Sequence, residues 1–426
     1  MPVALIGPIV RVSPTAVAVA NIEDLKTIYT IKETYRKSEF YQLMTGGSQS
    51  VFGTTNVERH RKLRRLLAAQ MSETSLKSML PQISSHVDLA IRKMKEEAEA
   101  RGVIDVYKWC TFLTTDVVGE LSFGESFHML ERGKKNQYIE DVENITIVGA
   151  YRAAFPLLLG LIAKHNKMLP FLNKVLSMAT RLRDYSTQSL AKYQKQVETD
   201  PAKAKKTFFA KLFKAEEDEK LGFDDIVANG QTFIIAGSDT TANTLTYLLW
   251  AISKRPDLRA ALLKELRALP KDFAESDLRG LPLLNQTIEE TLRLYPAVPA
   301  MLPRTVPAGG AHLSGYYLKE GTWVGAQAYT MNRDPTIFEN PETFDPQRWA
   351  NPTKAMREAF MTYGLGSRVC IGMHLANIEL RLTAARFLLE FPNARVSTRQ
   401  GMSDTDMDMT AIFLLAPRGK RCLIEV

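Results

Sequence analysis

Cys370 stands among glycines in the run Tyr363-Gly-Leu-Gly-Ser-Arg-Val-Cys-Ile-Gly372, the stretch of this chain best suited to chemistry. Gly364, Gly366 and Gly372 permit tight turns and let backbone approach a flat ligand closely. Beyond them Leu375, Ile378, Leu382, Ala385 and Leu389 recur at helical spacing. The cysteine therefore lies at the mouth of a helix N-terminus, where aligned peptide dipoles favour a thiolate over a thiol. Arg368, two residues earlier, can extend a guanidinium toward an acid on the same ligand. A thiolate held in this way can serve as the axial ligand of a haem iron. A lone cysteine is more often an inert core residue, so partner motifs elsewhere in the chain have to decide between the two.

Four other groupings qualify as partners. Ala236-Gly-Ser-Asp-Thr-Thr241 lies in the middle of a helical run over 224–254. A glycine and tandem threonines there lower helix propensity. Hydroxyls bonding back to the preceding turn can open a groove and bend the helix. Phe233-Ile-Ile235 and the apolar run 245–250 argue against a wholly exposed helix. Glu290 and Arg293 share one face of a helix over 283–294. That pair means little alone, but Tyr295-Pro296 ends the helix and Phe344-Asp-Pro-Gln-Arg-Trp349 follows. Residues 59–70 form a basic helix with His60 and Arg64 on one face and Arg61, Lys62 and Arg65 pointing elsewhere. Residues 297–303 are apolar, their prolines forbid a helix, and they end at Arg304.

Taken together, and in the order they occupy along the chain, these motifs resemble those of the cytochrome P450 family. The cysteine loop matches the family's haem-binding pattern except that Tyr363 stands where phenylalanine is usual, which adds a hydroxyl needing a partner. The resemblance implies a mainly α (α+β) fold, a helix-rich triangular prism with small β-sheets, and one catalytic domain over 1–426 with a β-rich part at about 1–30. It implies haem b bound between the helix carrying 236–241 and the helix after Cys370, with Cys370 as the axial thiolate and metal ligand. Tyr363, Gly364, Arg368 and Gly372 would cradle the cofactor. His60, at a position often held by tryptophan, would join Arg64 and Arg304 as propionate partners. Ala236 and Gly237 would line the oxygen groove, and Asp239 with Thr240 would form an acid–alcohol pair relaying protons. Glu290, Arg293 and Arg348 would be a structural triad supporting the haem loop, with Asn332, between Arg293 and Arg348, standing where histidine is usual.

The implied activity is monooxygenation: one oxygen atom of O2 is inserted into a hydrophobic organic substrate, with electrons from a partner of the NADPH–cytochrome P450 reductase type. The opening Gly7-Pro-Ile-Val-Arg-Val-Ser-Pro14 resembles fungal members of the family and points to secondary metabolism of a polyketide or terpenoid. One alternative is a dioxygen-independent isomerase or dehydratase, although such enzymes tend to lose the acid–alcohol pair that this chain keeps. Another is a haem-binding protein without catalysis. A helical binding protein without a cofactor would have to produce six family motifs in order by chance.

Composition sets the outer bounds. The 426 residues are 45% hydrophobic and undivided by linkers, repeats or low-complexity runs, which suits one large domain. Three cysteines, Cys110, Cys370 and Cys422, argue against a disulfide framework and fit a reducing compartment. The formal charge of +8 suits an acidic protein partner or an anionic membrane surface. Without a basic tail or nucleic-acid motif, no nucleic-acid partner is expected. No apolar run reaches the roughly 20 residues of a membrane span, and the first eight residues are too short for a signal peptide. The family's usual membrane anchor is expected to precede the point where this chain begins. By resemblance the protein works as a monomer on the cytoplasmic side of the endoplasmic reticulum; without the anchor it would be soluble or in peripheral membrane contact.

Local patterns predict a hairpin of 9–13 and 16–20 around Pro14-Thr15 and a helix over 22–29 capped by Asn21. Helices are also predicted at 76–98 and 105–124, and strands at 313–318 and 323–329. Residues 30–56 are loop-rich and by the same resemblance would drape over the substrate pocket; helices over 130–220 are expected to form a lid, with 409–416 turning an apolar loop into the pocket.

Overall fold

A computed structural model gives the fold over residues 7–156, 170–200, 202–213 and 221–426. The chain forms two compact units, one of Met1–Arg36, Ser84–Leu113 and Thr240–Val426, the other of Lys37–Ile83 and Thr114–Asp239. Part of the 130–220 region expected as a lid lies outside the described residues. No helix among the described residues is long and apolar enough to cross a membrane.

The first unit is built around a small sheet. Ile9–Ser13 pairs antiparallel with Ala16–Val19, which runs parallel to Trp323–Ala326, which in turn pairs antiparallel with Arg304–Thr305. The predicted hairpin is therefore present, and Ala16–Val19, buried at every position, is its core-facing arm. Asn21 caps the helix Ile22–Ile28 by accepting from the Asp24 amide at 2.8 Å, as its type and position require. Val17, Leu25, Tyr29, Val324, Phe338, Trp349 and Met361 share one apolar cluster, with Leu302 and Leu365 against it. Through that cluster the opening sheet backs directly onto the segment that leads to Cys370.

Two strand expectations need correction. Residues 313–318 are not one strand but a hairpin, Ala311–Leu313 with Tyr316–Leu318, turning at Ser314 (φ 48°) and Gly315 (φ 81°). Two consecutive positive φ values make the type of turn whose twist matches its strands, and the surrounding apolar residues concealed it. The run 323–329 stops as a strand at Ala326 and becomes the short helix Ala328–Met331. The predicted helix 76–98 is likewise two helices, Glu73–Lys77 and Leu80–Arg101, the first capped by the Ser72 hydroxyl.

In the second unit the basic helix is Val57–Gln70, with Asn56 accepting from the Arg59 amide at 2.8 Å. Arg59 pairs with Asp225, and the Val51 amide donates to Asn229 Oδ1 at 2.8 Å. Both contacts fasten this region to the start of the long helix Phe223–Ser253. Phe208 and Phe209 pack on Phe233 of the same helix, the second by stacking at 5.7 Å.

Candidate functional site

The cysteine loop is shaped by its glycines. Gly364 (φ 71°) and Gly366 (φ 66°) occupy the left-handed region, which other residues enter only at a cost. Gly366 is required twice over, because a Cβ there would run into the carbonyl of Tyr29. A short 3-10 turn, Gly366–Arg368, follows. The Cys370 amide then donates to the Tyr363 carbonyl at 2.8 Å, closing the loop just before the helix Met373–Glu390.

The structure separates the three cysteines. Cys110 and Cys422 are fully buried, and burial pushes both thiols up, away from thiolate character. Cys370 is exposed. Val369, Ile371 and Met373 beside it are apolar yet partly accessible, and a Cβ added at Gly372 would find nothing nearer than Cys370 Sγ at 4.0 Å. An accessible sulfur on an apolar, glycine-lined floor fits a flat ligand that takes a thiolate from one side. The Tyr363 hydroxyl has the partner it needs, donating to Asn377 Oδ1 at 3.3 Å. Its phenol is pushed up by burial and further by the nearby cysteine.

Two of the expected propionate partners lie in the same unit. Arg304 is 5% exposed, on the strand Arg304–Thr305, with its guanidinium 5.0 Å from the centre of the Tyr29 ring. Arg368 is engaged by a protein acid: Nε donates to Glu33 Oε1 at 2.7 Å, and Ser367 Oγ donates to the same oxygen at 2.5 Å. Nothing in the sequence marks Glu33, which lies 335 residues away. The other two expected partners are on Val57–Gln70, where His60 is buried and Arg64 half-buried while Arg61, Lys62 and Arg65 face solvent. That division matches the faces expected from their spacing.

The triad is assembled around Glu290, which is fully buried. Its carboxylate accepts from Arg293 Nε and Nη2, both at 2.8 Å, and from Arg348 Nε at 3.0 Å. Trp349 Nε1 and the Asp345 amide also donate to it, each at 2.9 Å. These last two were not anticipated, although Trp349 stands beside Arg348 in the same motif. The arginines spend their remaining donors on carbonyls of the irregular stretch before the cysteine loop. Arg293 reaches Asn332, Pro341 and Thr343, and Arg348 reaches Glu339, Asn340 and Thr343. Asn332 returns a bond from its side chain to the Arg293 carbonyl at 3.0 Å. An irregular backbone thus has its polar groups satisfied by side chains, since no ladder is available.

The helix Phe223–Ser253 runs unbroken through the 236–241 segment. Ala236 is exposed and Asp239 and Thr240 half-exposed, while Ser238 and Thr241 are buried. Positions 236, 239 and 240 form one accessible face by helical periodicity. Gly237 has a packing reason: a Cβ there would meet Val118 Cγ2 at 2.8 Å. One turn earlier on that neighbouring helix, Thr114 Oγ1 donates to the Ser238 carbonyl at 2.7 Å. Val118 and Thr114 carry no sequence signal for these contacts.

With this geometry in view, comparison with known proteins is consistent across sequence and fold. The family model described as Cytochrome P450 matches residues 6–423. Cytochrome P450 monooxygenase orf2 of Aspergillus niger is 41% identical over 423 residues, covering 98% of this chain and 85% of the relative. Cytochrome P450 monooxygenase tazI of Aspergillus terreus is 42% identical over 425 residues, covering 99% and 86%. Among solved structures, a cytochrome P450 named CYP102L1 superposes with a TM-score of 0.79 at 18% identity, covering 96% of this chain and 89% of that one. P450BioI, solved in complex with hexadec-9Z-enoic acid ligated acyl carrier protein, superposes with a TM-score of 0.72 at 20% identity, covering 99% and 96%. These two structures share the fold.

Proposed function

The chain belongs to the cytochrome P450 family, and from that premise we propose that it is a haem-thiolate monooxygenase with Cys370 as the iron ligand. The observation that carries the assignment is Cys370 itself, an accessible cysteine on a glycine-shaped, apolar floor at a helix N-terminus. When bound, haem b would supply the activation of dioxygen that no side chain provides. Tyr363, Gly364 and Gly372 would shape its bed. Arg304, Arg368, His60 and Arg64 would take its carboxylates, and Ala236 with Gly237 would line the oxygen side.

Asp239 and Thr240 are assigned to proton delivery, through the Thr240 hydroxyl with the Asp239 carboxylate as its source. Their shared accessible face supports this assignment over a dioxygen-independent isomerase or dehydratase, and product formation with a reductase separates it from a haem carrier without catalysis. Glu290, Arg293 and Arg348 hold the loop in shape without touching the reacting atoms.

We also propose a single catalytic domain working as a monomer on a hydrophobic substrate, in fungal secondary metabolism of a polyketide or terpenoid. Similarity to fungal monooxygenases over nearly the whole chain supports that setting. Exposed Arg61, Lys62 and Arg65 support an acidic donor of the NADPH–cytochrome P450 reductase type, and with it the cytoplasmic face of the endoplasmic reticulum through peripheral contact. The test is the reduced carbon monoxide complex, which should absorb at the long wavelength of thiolate ligation and lose that band in Cys370→Ala. Turnover of lipophilic compounds with a reductase follows. A histidine-type spectrum in the wild type would refute the assignment.

A further inference from the structure

The segment from Tyr29 to Glu33 is an unannounced part of the cysteine loop. Gly366 packs directly on the carbonyls of Tyr29 and Thr30, where no side chain would fit. The Tyr29 hydroxyl donates to the Leu302 carbonyl at 2.8 Å and accepts from the Ala326 amide at 2.9 Å, and the Arg304 guanidinium lies over its ring. Four residues on, Glu33 turns inward between exposed Lys32 and Thr34. It does so at φ 54°, a conformation that disfavours any residue with a Cβ. Its side chain is 6% exposed and that of Arg368 5%. Oε1 accepts from Arg368 Nε at 2.7 Å and Oε2 from Nη2 at 3.4 Å. A two-point contact of this kind fixes the plane of a guanidinium as well as its position. One short strap therefore touches both arginines of this unit that are assigned to the cofactor's carboxylates.

We propose that Glu33 is a positioning residue for the cofactor. It locks the plane of Arg368 and places an arginine-paired carboxylate beside the cysteine loop, and so governs how firmly haem is retained and how readily it is reduced. This rests on the haem-thiolate assignment above. A backbone held in the left-handed region to bury a carboxylate, against an arginine of the loop itself, is more than packing requires. Where packing alone mattered, an apolar residue would fill the same space without the desolvation penalty.

The test uses the haem-loaded protein and two variants. Glu33→Gln keeps the shape and one acceptor but removes the charge. Its reduction equilibrium should shift toward the ferrous state by about tenfold, or 59 mV for a one-electron couple, because adding an electron becomes easier when a nearby anion is removed. Glu33→Ala removes the lock on Arg368, and haem should pass to excess apomyoglobin about tenfold faster than from the wild type. Both should keep the long-wavelength carbon monoxide band. An unchanged potential in Glu33→Gln overturns the proposal, as does wild-type haem transfer from Glu33→Ala. If Glu33→Ala does not fold, the potential of Glu33→Gln decides alone. A wild type without the thiolate band would instead sink the haem-thiolate assignment itself.

Discussion

Arg293→Ala is the substitution whose effect can be worked out most fully. Arg293 and Glu290 are both fully buried, so neither can fall back on water. The change removes two bonds to Glu290 and three to the carbonyls of Asn332, Pro341 and Thr343. Glu290 keeps Arg348, Trp349 and the Asp345 amide, which limits the penalty on the carboxylate. The Thr343 carbonyl keeps Arg348, but those of Asn332 and Pro341 rely on Arg293, and a buried acceptor left without a donor costs about 1–3 kcal/mol. The sum falls at the upper end of the range for breaking a buried ion pair, about 5 kcal/mol. Arg348→Ala should cost less, about 1–3 kcal/mol, because its side chain is 8% exposed and water can reach part of what it leaves. Arg293→Lys should recover little, since a single ammonium cannot replace a fork with five donors. Urea denaturation midpoints and haem per polypeptide should therefore rank wild type, Arg348→Ala and Arg293→Ala in descending order. A soluble Arg293→Ala protein with a wild-type midpoint and full haem content would refute the reasoning, and so would a reversed order of the two arginines.

Three further outcomes are expected. Thr240→Ala should retain haem yet release more hydrogen peroxide and less product per NADPH, whereas Thr241→Ala, buried at 5% exposure and about 100° around the helix, should stay coupled; the opposite result would mean that the register of the accessible face is wrong. Lys62→Glu or Arg65→Glu should slow reductase-supported turnover and flatten its salt dependence while sparing peroxide-driven turnover, and equal loss by both routes would point to a damaged helix instead. Glu379, buried and with Oε1 lacking a hydrogen-bond partner among the described residues, has its carboxyl held well above the usual range by burial. The folded state therefore binds a proton that the unfolded state releases, so stability falls as pH rises from the unfolded carboxyl's value toward the folded one. Glu379→Gln should raise the denaturation midpoint at pH 7 and lose that advantage near pH 4; a gain that is the same at both pH values would show that the carboxyl is not the cause.

What the sequence discloses and what it withholds follows the distance between interacting residues. The Asn21 cap, the opening hairpin and the two faces of Val57–Gln70 depend on neighbours within a few positions, and their residue types carry the information directly. From the residues alone the triad was legible only as two separate motifs, which the family resemblance joined, because bringing Glu290 to Arg348 requires the chain to fold back across 58 residues. The Ser314-Gly315 turn was missed because the strand residues around it form one apolar run, and a serine with positive φ leaves no clear signature. Gly237 shows the same limit from the other side. Its glycine could be read as a groove or as a flaw in the helix until Val118 appeared against it. Glu33 lies furthest out of reach: a lone acid in a loop, 335 residues from its partner, differs from a solvated surface carboxylate only by a backbone angle and a burial that no local pattern encodes. The cysteine motif can be read within the loop, but the direction in which its arginine points is set at the other end of the chain. Substitution at residue 33 should therefore reach the loop through its arginine while leaving the cysteine in place.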